Sequence, residues 1–304
     1  MLPIISTTIN SRQKEILIYL SKILDVESFI LFGGAALDLI VDPVINIKDF
    51  DIGVKVSENI IQYIKERLLS NGYKIIGKDR PYMINMTTPV TMVFAENGKN
   101  ILDISFLKNL DDIGQFIIES SYCRYPQLDY VDRFGAIEAY KKGCIEPIYG
   151  LDKENPYLLI NRIISLSAKY GMVFYDDKKD NTNINYLKKR LSNWKTEDYL
   201  HGKMARIAHL SHVLKAIART RSKHEFIEQL INSNILSLTY PSLHLAFSSL
   251  SIGQINNLEV LHDKKDVAKF LIKNTTLDNR ENLLEAFRLL NLRGWDDEDR
   301  KIKL

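Results

Sequence analysis

One stretch, Phe29 to Val54, limits what this chain can fold into more than any other: FILFGGAALDLIVDPVINIKDFDIGV. Phe29, Ile30, Leu31 and Phe32 form a short apolar run that suits a buried strand. Gly33 and Gly34 break it, and Ala35 to Val41 has the composition of a short helix stopped by Asp42-Pro43. A strand, a tight glycine turn and a helix N-terminus together make a phosphate cradle. The glycines let an anion reach the backbone, and the first helical N–H groups point at it. Lys48-Asp49-Phe50-Asp51-Ile52-Gly53-Val54 then reads as a second strand. Residues two apart on a strand share a face, so Asp49 and Asp51 point one way while Phe50 and Ile52 pack the other way. Two neighbouring carboxylates repel unless a cation lies between them, and magnesium prefers carboxylate and phosphate oxygens. Either feature alone is a common surface pattern. The two in this order, with a short helix between, point to a metal site facing a phosphate cradle.

Along the rest of the chain, Ser11 to Leu24 carries a helical apolar stripe with Ser11 as its cap, and Ser57 to Leu69 carries another with Gly72 just past its end. Tyr73 to Gly77, Thr91 to Phe94 and Ile101 to Phe106 read as strands, the last two joined by a hairpin at Asn97-Gly98. Asp103 sits among Ile101, Leu102, Ile104 and Phe106, where an acidic residue needs a reason. A solvated edge face would supply one, and a place beside Asp49 and Asp51 would supply another.

After Tyr157 the pattern is helical. A polar loop spans Asp176 to Asn183. The helical segments are Tyr186–Trp194, Tyr199–Ala218, Phe226–Leu236, Leu243–Leu250, Ile252–Leu261, Asp266–Lys273 and Arg280–Leu292, and Asn291 to Leu304 is a charged tail. The fold class expected is therefore α+β. A head with a small mixed sheet and helices on one side covers residues 1–150, and an all-helical neck and body covers 151–304.

A 45% apolar and 26% charged composition over 304 residues is that of an ordinary globular protein. The net charge of +3 is compatible with an RNA partner without requiring one. No apolar run is long enough to cross a bilayer, and the N-terminus lacks the pattern of a signal peptide, so no membrane partner is expected. Cys123 and Cys144 fit neither a metal motif nor a disulfide framework and read as reduced cytoplasmic thiols. The basic residues and histidines of Tyr199–Ala218 contain no H-E-x-x-H pattern, which leaves RNA contact or a solvated helix.

These residues carry a resemblance. Gly33-Gly34-Ala35-Ala36-Leu37-Asp38 and Lys48-Asp49-Phe50-Asp51-Ile52 resemble the GGxxRD and KDIDI motifs of the DNA polymerase beta superfamily of nucleotidyltransferases. More narrowly, they are similar to those of bacterial tRNA CCA-adding enzymes and poly(A) polymerases. Val131 to Ile145 resembles the family's IDPFGGxxDLxxGxI segment, and Leu158 to Met172 its RILRAIRFAARLGF helix, with Arg162 the one arginine retained and Leu159 and Ser165 in the other two places. The likeness covers about residues 28–172. It departs in two places. Leu37 stands where the family has arginine, and Gly114 to Ser120, GQFIIES, lacks the polar residues of the family's RRDFTINA run while Phe116 and Ile118 keep its packing positions.

The resemblance implies a nucleotidyltransferase. Asp49, Asp51 and Asp103 would be the catalytic carboxylates and the ligands of magnesium or manganese. Gly33, Gly34, Asp38, Lys48 and Arg162 would bind the nucleotide. An NTP, ATP or CTP, would be the substrate, and the 3′ end of tRNA or another RNA the acceptor. A protein or small-molecule hydroxyl is the alternative acceptor, and a non-catalytic RNA-binding head is the alternative class.

Overall fold

The computed structural model describes residues 5–42, 44–45, 47–83, 89–110, 113–114, 116–143, 145–148, 156–176, 182–193 and 200–291. The chain divides into two compact units, one of Met1–Lys142 and Glu146–Lys153, the other of Gly143–Ile145 and Glu154–Leu304.

The first unit is built on an eight-stranded sheet. Its strands are β1 (Ile5–Thr8), β2 (Phe29–Phe32), β3 (Asp49–Lys55), β4 (Lys74–Met83), β5 (Pro89–Glu96), β6 (Ile101–Leu107), β7 (Ser121–Tyr125) and β8 (Asp129–Asp132). They lie in the order β1-β8-β7-β2-β3-β6-β5-β4. Only β3 and β6 run parallel, so the sheet is mixed. The helices α1 (Ser11–Leu24), α2 (Gly33–Val41) and α3 (Ile60–Ser70) cover one face. Their Leu17, Leu20, Ala36, Leu39, Ile64 and Leu68 share a core with Phe29, Leu31, Phe50, Ile52, Val54, Leu102, Ile104 and Phe106 of the sheet. The alternate residues of the same strands form a smaller apolar cluster on the other face, with Ile30, Phe32, Met92, Leu107 and Tyr122.

Local chemistry sets the ends of these elements. α1 starts where the sequence predicts, but its cap is Asn10 rather than Ser11. The Asn10 side chain accepts from the Gln13 N–H at 2.9 Å, and the Gln13 side chain accepts from the Asn10 N–H at 2.9 Å. This reciprocal pair satisfies two donors at once, which a lone serine cannot do. α3 begins at Ile60 because Asn59 takes a left-handed φ of 61° just before it. The hairpin between β5 and β6 is as expected: Asn97 Oδ1 accepts from the N–H of Lys99 at 3.0 Å and of Asn100 at 2.8 Å.

The sequence gives no warning of β1, β7 or β8. These are short, and β7 and β8 carry Arg124 and Asp129, which ion-pair across the two strands and blur any apolar alternation. They form strands because β2 offers β7 an edge, and Tyr122, Cys123, Tyr130 and Val131 are buried when they pair. Burial, and then the charge of Asp129, pushes the Cys123 thiol up to about 12, which leaves it an inert packing residue. Beyond β8, the Asp132 carboxylate accepts from the N–H groups of Gly135 and Ala136, both at 2.8 Å, and of Ile137 at 3.2 Å. It thereby caps α4 (Ala136–Lys142).

The second unit contains α5 (Pro156–Tyr170), α6 (Thr182–Asn193), α7 (Leu200–Arg219), α8 (Lys223–Asn232), α9 (Ile235–Thr239), α10 (Pro241–Ser248), α11 (Ile252–Leu258), α12 (Lys264–Asn274) and α13 (Leu277–Asn291). Every described element after Pro156 is helical, as the sequence predicts. The segment Phe226–Leu236 is two helices rather than one, because Asn234 adopts a left-handed φ of 56° between them. α8 is capped from a distance: Glu259 Oε1 accepts from the Lys223 N–H at 2.9 Å and the His224 N–H at 3.0 Å. The Lys223 ammonium, almost fully buried, donates to the Glu259 carbonyl at 3.2 Å. The expected charged tail, apart from Asn291, and residues 177–181 of the expected loop lie outside the described residues.

Gly53 tests the tightness of the sheet. A Cβ there would stand 2.7 Å from Ile30 Cγ1 and 2.8 Å from Leu107 Cδ1, both in the smaller cluster. Gly53→Ala is expected to cost about 1–3 kcal/mol of stability through overpacking. Chemical denaturation should show a lower midpoint with an unchanged slope.

Candidate active site

Strand register brings the acidic residues together. Phe32 pairs with Asp51 across β2 and β3, and Asp51 pairs with Asp103 across β3 and β6. Asp49 lies two residues before Asp51, opposite Ile101. Phe50, Ile52, Leu102 and Ile104 all enter the helix-side core, so the three aspartates project from the opposite face of the sheet. Adjacent strands are only about 4.8 Å apart, so two of these carboxylates are immediate neighbours. The consequence falls on Asp103. Burial, then the charges of Asp49 and Asp51, raises its carboxyl from 3.8 to about 7.

The glycine turn meets this face. Gly33 opens α2 directly after Phe32, with φ +64°. A Cβ at Gly33 would stand 2.9 Å from Asp51 Oδ2, and φ +64° is a conformation that favours glycine, so the backbone comes close to that carboxylate here. Phe32 makes no side-chain capping bond to α2, and its first turn holds no acidic residue. Gly34 is partly exposed beside it. The arrangement is a helix N-terminus opened by glycine, without a side-chain cap from Phe32, with the Asp51 carboxylate alongside.

The remaining predicted residues are placed less centrally. Asp38 is buried in the second turn of α2. Lys48 is exposed at the entry to β3, where its carbonyl accepts from the Ile101 N–H at 2.6 Å. Arg162 is exposed on α5 in the second unit. There, partial burial and then the charges of Lys215 and Arg162 hold the His212 imidazole below its ordinary range, which marks a local concentration of cations. The side chains of 200–209, which include His201, Lys203, Arg206 and His209, lie outside the described residues. Leu37 is fully buried, so this position turns inward and offers a phosphate nothing. Phe116 and Ile118 are buried as packing residues, around a short 3-10 turn at Ile117–Glu119.

Among the described residues, no group of three or more histidine, cysteine, aspartate or glutamate side chains is disposed to hold a metal ion by itself. Magnesium does not require such a cage, being commonly held by one or two carboxylates together with substrate phosphates. Hard carboxylate oxygens on one face of the sheet, beside a helix N-terminus, fit that mode of binding, with the Asp103 carboxyl raised first by burial and then by the charges of Asp49 and Asp51.

The sequence pattern marks Phe94 only as part of a strand, whereas the register sets it directly opposite Asp103. The signal was present: counting outward from the Asn97–Asn100 turn pairs the two residues.

No protein-family model matches the chain, and no curated protein matches it. Solved structures do. A CCA-adding enzyme in an apo form aligns with a TM-score of 0.63 at 16% identity, covering 94% of this chain and 70% of that one. A CCA-adding enzyme complexed with ATP aligns at 0.60 and 16% identity, covering 95% and 71%. The Thermotoga maritima CCA-adding enzyme complexed with tRNA aligns at 0.55 and 17% identity, covering 93% and 72%. The chain has the fold of these nucleotidyltransferases, an α+β head and a helical body.

The raised Asp103 carboxyl makes stability depend on pH. A carboxyl whose folded pKa exceeds its unfolded value destabilises the fold once it ionises. That cost is absent below about pH 3.8, grows as pH rises, and is complete above about 7. Asp103→Asn should therefore raise the melting temperature at pH 8 without divalent ions, with the difference closing by pH 4. Calorimetric scans across that range check it, and a difference independent of pH would contradict the assignment.

Proposed function

We propose that this chain is a metal-dependent nucleotidyltransferase that moves a nucleoside monophosphate from an NTP to the 3′ hydroxyl of tRNA or another RNA. The observation that carries this reading is the Asp51–Asp103 pair standing beside a helix N-terminus opened by glycine. The fold supports it, since solved structures with this fold include CCA-adding enzymes with ATP, with CTP and with tRNA.

In this reading Gly33 and Gly34 present backbone N–H groups to the β- and γ-phosphates. Asp38, buried below them, fixes the glycine turn. Lys48, exposed beside Asp49, contributes positive charge toward nucleotide phosphates, and Arg162, exposed on α5 of the second unit, is the other cationic candidate. Magnesium or manganese held by Asp49, Asp51 and Asp103 would neutralise the triphosphate and favour ionisation of the acceptor hydroxyl. The acceptor oxygen bonds to the α-phosphorus as the bond to the bridging oxygen breaks, and pyrophosphate leaves with the electron pair. Asp103, on the side of Asp51 away from the glycine turn, receives the hydroxyl proton. Leu37 removes one cationic phosphate contact, which leaves the backbone cradle a larger share of triphosphate binding.

The test is transfer of label from α-labelled ATP or CTP, with magnesium or manganese, to tRNA, unrelated RNA, a protein mixture or no acceptor. Label in RNA is expected. Label confined to protein would move the acceptor to a protein hydroxyl, and no label anywhere would leave a non-catalytic head. Asp51→Asn and Asp103→Asn should each lower transfer by about a hundredfold or more, the scale of losing a transition-state charge contact. Calorimetry should separate them further. Asp49→Asn and Asp51→Asn weaken metal-dependent NTP binding, whereas Asp103→Asn leaves it within a small factor, because its carboxylate acts on the acceptor side.

A further inference from the structure

The carboxylate face continues past Asp103 as an apolar surface. Read across the strands in register, one row runs Tyr122, Phe32, Asp51, Asp103, Phe94 and Ile76. The two sides of the acid pair differ. Toward β7 the row closes, with Phe32 and Tyr122 buried under the smaller cluster. Toward β4 it opens only gradually: Phe94 packs against the smaller cluster and is partly exposed, and Ile76 is 40% exposed. Ile101, on the same face of β6 and diagonal to Phe94, is 41% exposed. The glycine turn lies on the closed side, against Asp51. The order across the face is thus glycine turn, Asp51, Asp103, then a partly exposed apolar patch that includes an aromatic ring seated on the smaller cluster.

We infer that this patch is the platform on which the terminal base of the acceptor strand stacks, with Phe94 as the residue that positions it. The inference rests on the nucleotidyl-transfer reading, because that reading places the triphosphate on the glycine side and the attacking hydroxyl beside Asp103. An acceptor whose 3′ hydroxyl reaches Asp103 from the open side must lay its last nucleotide over Phe94. A base has an apolar π-face and polar edges, so it gains from an aromatic ring flanked by aliphatic side chains. Neither isoleucine donates or accepts hydrogen bonds through its side chain, so the platform discriminates a base from no base rather than one base from another.

The experiment uses the full chain, an RNA oligonucleotide with an ordinary 3′-terminal nucleotide, and the same oligonucleotide with an abasic 3′-terminal nucleotide. Phe94→Leu preserves bulk and removes the ring, while Phe94→Tyr restores it. Phe94→Leu is expected to raise KM for the ordinary acceptor about tenfold, the loss of one stacked base, and to leave KM for NTP nearly unchanged. Phe94→Tyr should behave as the parent protein, and the abasic acceptor should not distinguish any of the three. If Phe94→Leu prefers the ordinary over the abasic end as strongly as the parent does, the inference is overturned. Binding of both oligonucleotides, followed by fluorescence anisotropy without NTP, separates this from failure of the enzyme reading. Phe94-dependent preference for the ordinary end in a chain that transfers nothing would sink the catalytic reading and uphold the platform. Transfer with no such preference in either measurement would do the reverse.

Discussion

Everything at the candidate site depends on holding like charges together. Asp51 and Asp103 face each other across adjacent strands with Asp49 close by, an arrangement that by itself pushes the strands apart. Directly opposed like charges in a sheet cost about 0.2–1 kcal/mol. The same two strands bury Phe50, Ile52, Val54, Leu102, Ile104 and Phe106 on their other face, each contributing about 1.5–3 kcal/mol. Burial wins by a wide margin, so the helix-side core keeps the charges in place. Burial first, and then the charges of Asp49 and Asp51, leave Asp103 a high-titrating carboxyl.

The register of one strand pair decides what that core can present. β3 and β6 pair Asp51 with Asp103, and residues paired in register come out on the same face at the same level. Two neighbours of β3 then supply different surroundings on its two sides. β2 ends in Phe32 and turns at once into α2, which brings backbone N–H groups to Asp51. β6 is held to β5 by the Asn97–Asn100 turn, which brings Phe94 to Asp103. The site is asymmetric because the connections on its two sides differ, one a strand-to-helix turn and the other a hairpin.

The departures from the family motifs make physical sense as packing. Leu37 and Leu159, at positions where the family carries arginine, are both fully buried, so each has joined the interior of its own unit. Phe116 and Ile118 do the same where the polar run is missing. In the reading proposed above, anion binding in the first unit would lean on backbone groups, which a substitution of side chains does not remove. In the second unit Arg162 keeps its charge because its place on α5 faces outward.

By itself, the sequence determined the parts whose physics is local. Four apolar residues followed by two glycines define the ends of β2, although α2 begins at Gly33 itself, two residues before the expected Ala35. Period-two alternation puts Asp49 and Asp51 on one face, and an Asn-Gly turn joins β5 to β6. Helical periodicity marks the second unit as helical, although Asn234 splits one predicted helix by a backbone choice that periodicity does not register. Tertiary structure alone decided the rest, because pairing between strands distant in sequence is a property of edges and not of composition. β1, β7 and β8 exist because β2 leaves an edge to extend and an apolar face to complete. The meeting of Asp51 with Asp103 required β6 to return parallel to β3 in one particular register. A slip of one residue would have turned Asp103 into the helix-side core.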